Sequence, residues 1–109
     1  MREFTFDQAS ASAFLDNLAS PVRLEILRML TEGEKAVTKI AVSLNMSQSA
    51  ISQHLRKLRD GGVVQTRRDA QMIFYSLPEE SSIPTFLAVL DEAMKSSADM
   101  SAPLHQVAA

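Results

Sequence analysis

The sequence predicts a mainly α-helical fold with one small β-hairpin, in the order four helices, two strands and a final helix. Three observations carry that expectation. Apolar residues recur at helical spacing between residues 7 and 60 and again after Ser82. Two runs rich in β-forming residues, 63–68 and 72–77, lie between those stretches and are parted by Asp69-Ala70-Gln71. Capping residues and glycines stand where such helices begin and stop. With 109 residues, 46% hydrophobic and 22% charged, the chain suits a single small soluble domain. At this length a lone chain buries only roughly 60–70% of its unfolded surface, so a second subunit is an early expectation.

The first helix is predicted from Asp7, an N-cap, to Leu18, with Ala11, Phe14, Leu15 and Leu18 on one face. Ser20 then caps a second helix whose first position is Pro21, where the ring's fixed φ already suits a helix. Its stripe is Val22, Ile26, Leu27 and Leu30, and it runs to about Thr31 and stops at Gly33. A third, short helix covers Val37 to Met46 with Val37, Ile40, Ala41 and Leu44 inward, and Asn45 suits a left-handed end. Ser47 caps the fourth helix, in which Ala50, Ile51, Leu55 and Leu58 turn inward while Gln48, Ser49, Ser52, Gln53 and Arg56 turn outward. Gly61-Gly62 ends it. The hairpin strands follow as Val63–Arg68 and Met72–Leu77. Ser81-Ser82 and Pro84 open the last helix, with Ile83, Phe86, Leu87, Leu90 and Met94 on a broad stripe. Periodicity fades at Ser96, which predicts a domain over residues 1–95 and a flexible tail over 96–109.

Several chemistries are excluded by composition. The chain has no cysteine, which removes thiolate nucleophiles, disulfides, thiolate metal sites and sulfur-based redox switching. The first twenty residues hold no continuous apolar run of the kind found in signal peptides or membrane spans, so a cytoplasmic location is expected. Ser52 and His54 lie two apart on a helix, point in different directions and have no orienting carboxylate, so no catalytic triad is expected. Met29, Met46, Met72 and Met94 lie on apolar segments and read as gap-filling core residues rather than a soft-metal site. No cofactor is expected.

Net charge is −2, but its distribution is uneven. Residues 1–33 and 77–109 are acidic, whereas residues 34–76 hold seven basic and three acidic groups. Third and fourth helices joined by a tight polar turn, followed by a hairpin and a fifth helix, give the order of a winged helix-turn-helix. Arg56, Lys57, Arg59, Arg67 and Arg68 then fall on the recognition helix and the wing. Gln48, at the start of that helix, is the first candidate for base readout, because a glutamine amide pairs bidentately with adenine. Ser49, Ser52, Gln53 and Arg56 are further readout candidates. Thr38, Lys39, Ser47, His54, Lys57, Arg67, Arg68 and Gln71 are candidates for the DNA backbone or the minor groove, with His54 alternatively a structural residue bordering the core.

LASPVRLEILRML, followed by LNMSQSAISQHLRKLRDGGVVQTRRDAQMIFYSL, resembles the ArsR/SmtB family of winged-helix repressors, and within it the cysteine-free NolR-like branch; the likeness spans roughly residues 13–77. The resemblance implies a homodimer, joined through the first and last helices, that places two recognition helices in successive major grooves of an operator and occludes promoters. Phe14, Leu15 and Leu18 with Ile83, Phe86, Leu87, Leu90 and Met94 form stripes broader than one small core needs, so they are the expected interface. Many family members bind metals through a cysteine pair or an Asp-x-His and His-x-x-Glu set on the last helix. Here Asp91 is followed by Glu92-Ala93 and His105 by Gln106-Val107-Ala108, so no metal is expected. Two other functions stay open: a sensor of a small ligand or an oxygen-ligated metal on the same fold, and a winged-helix protein-interaction module.

Overall fold

Helix α1 (Gln8–Leu18) starts where the Asp7 carboxylate accepts bonds from the Ser10 N–H and hydroxyl, both at 2.9 Å, in a computed structural model that describes residues 3–100. Those bonds hold the Asp7 carboxyl below the ordinary aspartate range. Helix α2 (Pro21–Leu30) repeats the device, with Ser20 Oγ accepting from the Arg23 N–H and Pro21 in the first turn. Helix α3 (Val37–Ser43) ends one residue before Leu44, and Asn45 takes the left-handed φ of 53° expected of it. Ser47 caps helix α4 (Gln48–Asp60) through the Ala50 N–H, and Gly61 closes that helix.

The sheet departs from the expectation. It has three strands, not two: Lys35–Ala36 forms β1, which pairs antiparallel with β3 (Met72–Ser76), and β3 pairs with β2 (Gln65–Asp69), giving the order β1-β3-β2. Strand β2 begins at Gln65 rather than Val63, because Val63 and Val64 drop into the core beneath the hairpin instead of pairing along it. Helix α5 (Ile83–Met100) continues past Ser96, where a tail was expected to begin. Nothing in Ser-Ser-Ala-Asp forbids a helix, since such residues are only mildly unfavourable there. The remainder of the expected tail, residues 101–109, lies outside the described residues, as does His105.

Ile26 and Leu27 of α2, Ile40 of α3, and Ile51, Leu55 and Leu58 of α4 are fully buried together. Each such side chain contributes about 1.5–3 kcal/mol relative to exposure. Leu18 and Ile83, expected at a subunit interface, are only 3% exposed and belong to this core instead. They are the last residue of α1 and the first of α5, where each stripe runs into the core of its own chain. Ala50 is half-buried rather than fully inward. Met29 and Met46 pack against the core as expected, but Met72 and Met94 are 42% and 57% exposed and fill no gap.

Candidate nucleic-acid interface

The turn between α3 and α4 is closed by backbone bonds from the Asn45 N–H to the Val42 carbonyl, 3.1 Å, and from the Met46 N–H to the Ala41 carbonyl, 3.0 Å. It fixes the angle between the two helices and leaves the first turn of α4 facing outward, with Ser47, Gln48 and Ser49 exposed. Thr38 and Lys39 are exposed on the adjoining start of α3.

Residues singled out on α4 divide between two flanks. On the wing side, Gln48 and the half-buried Ser52 share a cleft of about 180 Å3 with Thr38, Gln71, Ile73 and Tyr75. On the other side, Gln53, Arg56 and Lys57 line a groove of about 670 Å3 against Ser10, Phe14 and Asn17 of α1. Lys57 reaches the Asp16 carboxylate there at 3.5 Å, and Arg59 lies 3.9 Å from Asp60. Base-reading candidates are thus brought together with the wing only at Gln48 and Ser52.

Strand register separates the two wing arginines. Arg67 pairs with Phe74 and Arg68 with Ile73, so alternation sends them to opposite faces of the hairpin. Arg68 shares its face with Ile73 and Tyr75, which line the cleft with Gln48. Arg67, a candidate for the DNA backbone or minor groove, is held on the far face by two bonds of 2.8 Å to Glu34, with its guanidinium 4.4 Å from the Phe74 ring centre. The bidentate bond lowers the Glu34 carboxyl from its ordinary value and raises the Arg67 guanidinium. Sequence reasoning missed Glu34, whose only signal was an acid directly before β1. The turn itself is tight, with Ala70 at φ 58° and Gln71 exposed beside it.

His54 does not join the outward set. It is half-buried, and its Nδ1 accepts a bond from Arg23 Nη1 at 3.1 Å. An arginine has no acceptor, so the ring is held with its proton on Nε2. Burial, and secondly the Arg23 charge, lower the imidazole below its usual range.

Of the expected interface residues, Phe14, Leu15 and Met94 are exposed and Phe86, Leu87 and Leu90 half-buried, with Phe14 meeting Phe86 edge to face at 5.7 Å. Val89, 62% exposed on α5, extends that face and was missed because it lies off the chosen stripe. Among the described residues, no group of three or more histidines or acids is placed to hold a metal ion, and no helix is long and apolar enough to cross a membrane.

A helix-turn-helix presenting a polar first turn beside a three-stranded wing is the architecture of a winged-helix DNA-binding transcriptional regulator. A sequence profile of the arsR family of bacterial regulatory proteins matches residues 20–66. The nodulation protein NolR of Rhizobium meliloti is 45% identical over 85 residues, covering 78% of this chain and 70% of that protein. The transcriptional activator HlyU of Vibrio cholerae is 43% identical over 77 residues, covering 71% of each. The crystal structure of NolR from Sinorhizobium fredii superposes with a TM-score of 0.72 at 41% identity, covering 85% of this chain and 96% of that one. The chain belongs to the ArsR family, whose members are transcriptional regulators and not enzymes.

Proposed function

We propose that the protein is a cytoplasmic homodimeric repressor that binds an imperfect palindrome, with α4 in the major groove and the wing at the minor groove, and acts by occluding promoters. The observation that carries this reading is the cleft that Gln48 and Ser52 share with Ile73 and Tyr75, residues on the strand face that also bears Arg68. Gln48 reads adenine, Ser49 and Ser52 contribute base or phosphate contacts, and Thr38, Lys39, Ser47, Arg68 and Gln71 hold the backbone. Gln53, Arg56 and Lys57, on the α1 flank, serve phosphates rather than base edges. Exposed Phe14, Leu15, Val89 and Met94 support pairing through α1 and α5. No metal is needed for binding.

The test is selection of bound duplexes from random DNA by purified protein at physiological salt. A two-fold site with half-site centres about 34 Å apart is expected, and Gln48→Ala should relax preference at one position per half-site by about 1–3 kcal/mol. Binding without sequence preference would favour a protein-interaction module. One observation favours a ligand-responsive variant of the same function: a groove of about 640 Å3 between α2 and α5, apolar at Leu24, Leu87 and Met94 and rimmed by Glu25, Arg28 and Asp91.

A further inference from the structure

Three helices meet at a polar junction behind the recognition helix. Arg23, on α2, donates through Nε to the Asn17 carbonyl at 2.7 Å and through Nη2 to the Asp16 carbonyl at 3.5 Å, and so closes the C-terminal end of α1. The same guanidinium donates through Nη1 to His54 of α4 at 3.1 Å. From α1, Asn17 Nδ2 reaches the Lys57 carbonyl of α4 at 2.8 Å. Side chains of α1 and α2 therefore hold α4 at two points one turn apart, His54 and Lys57.

We propose that Arg23 is a positioning residue for DNA recognition: by binding the neutral His54 ring and the end of α1 together, it sets the orientation in which α4 presents Gln48 to the major groove. This rests on the DNA-binding reading above. An outward helix held only by an apolar face can roll on that face, since hydrophobic contact is non-directional, whereas a planar guanidinium shared among three acceptors fixes rotation. The arrangement works in one protonation state. A protonated ring has no lone pair for Arg23, and two cations would then face each other. Helices α1, α2 and α3 pack on α4 and carry Asp7, Asp16, Arg23, Glu25, Arg28 and Lys39; of these, Arg23 is the one whose charge bears on the ring. Asp16, the nearest acid of the junction, is turned to Lys57 instead.

A sign follows that ordinary electrostatics does not supply. Protonating histidines adds positive charge and generally strengthens binding to a polyanion. Here acidification should weaken sequence-specific binding.

The experiment measures affinity of the full-length protein for a duplex it has itself selected, by fluorescence anisotropy between about pH 7.5 and about pH 4.5, a window carried below the usual histidine range because burial and Arg23 lower the His54 imidazole. Specific affinity of the unaltered protein is expected to fall about tenfold on acidification, as befits loss of one charge-assisted hydrogen bond. His54→Asn, whose side-chain oxygen replaces the Nδ1 acceptor and does not titrate, should bind normally at the upper pH and lose the pH dependence. His54→Leu and Arg23→Met should bind about tenfold more weakly at the upper pH, with thermal unfolding and circular dichroism reporting how much is still folded. A flat or rising affinity of the unaltered protein on acidification overturns the proposal whatever the variants do. So does an unchanged pH profile in His54→Asn. Failure to select any duplex overturns the DNA-binding reading itself, an outcome distinct from both.

Discussion

Glu34 grips Arg67 through a two-pronged ion pair, both bonds at 2.8 Å, although 33 residues separate the two in sequence. The pair couples the residue before β1 to the middle of β2, and it orders a guanidinium against Phe74 on the face of the wing that turns away from α4.

Arg67 and Arg68 should accordingly behave differently on DNA. Arg68→Ala is expected to weaken all duplexes alike and to flatten the salt dependence by about one phosphate contact, while Arg67→Ala leaves the slope nearly unchanged. Glu34→Gln, which loosens the clamp, should steepen it. Equal flattening by both alanine variants in a salt titration would refute the division of roles.

Gly61 offers a test of the α1–α4 contact. A Cβ there would stand 2.6 Å from Asn17 Nδ2, the atom bonded to the Lys57 carbonyl, and Gly61 has no unusual backbone angle of its own. Gly61→Ala should therefore lower stability by about 1–2 kcal/mol through loss of that bond, and the loss should largely vanish in an Asn17→Ala background. Gly62→Ala meets no atom but sits at φ +75°, so its cost of about 1 kcal/mol should persist in either background. Chemical denaturation of the six proteins, the two single glycine variants, their Asn17→Ala doubles and the two backgrounds, separates the two mechanisms, and a Gly61 effect independent of Asn17 would reject the first.

On α5, Val89→Asp should reduce self-association in sedimentation while leaving helical content intact, because the exposed side chain makes no contribution to the monomer core. Leu18→Asp, by contrast, places a charge at a position only 3% exposed and should unfold the monomer. Unchanged association of Val89→Asp would put the subunit contact elsewhere.

Much of the fold was legible because single residues decide it by their own chemistry. Asp7, Ser20 and Ser47 each accept a bond from an N–H three residues on, and Asn45 tolerates a left-handed backbone. What escaped notice depends on distant partners. Lys35–Ala36 is too short to show a period and becomes a strand only because Phe74 and Tyr75 lie beside it. Arg67 and Arg68 are indistinguishable in a list of charges and part company through strand register and Glu34. Leu18 and Ile83 share a stripe with Phe14 and Phe86, and periodicity alone does not tell which end of an apolar stripe meets its own chain. For the site, the exposed turn at Gln48 followed from capping and helical phase, whereas the inward turn of His54 required Arg23 on another helix.

Strand β1 ends at Ala36 and α3 begins at Val37, with no residue between them. With no linker between them, the wing and the helix-turn-helix are expected to act as one caliper whose jaw opening the fold sets before a target arrives. A duplex entering such a caliper must itself supply the adjustment, so bending and groove-width energies of the target sequence become part of what is recognised. On the proposed two-fold site, base pairs that no side chain touches should then influence affinity through their stiffness alone.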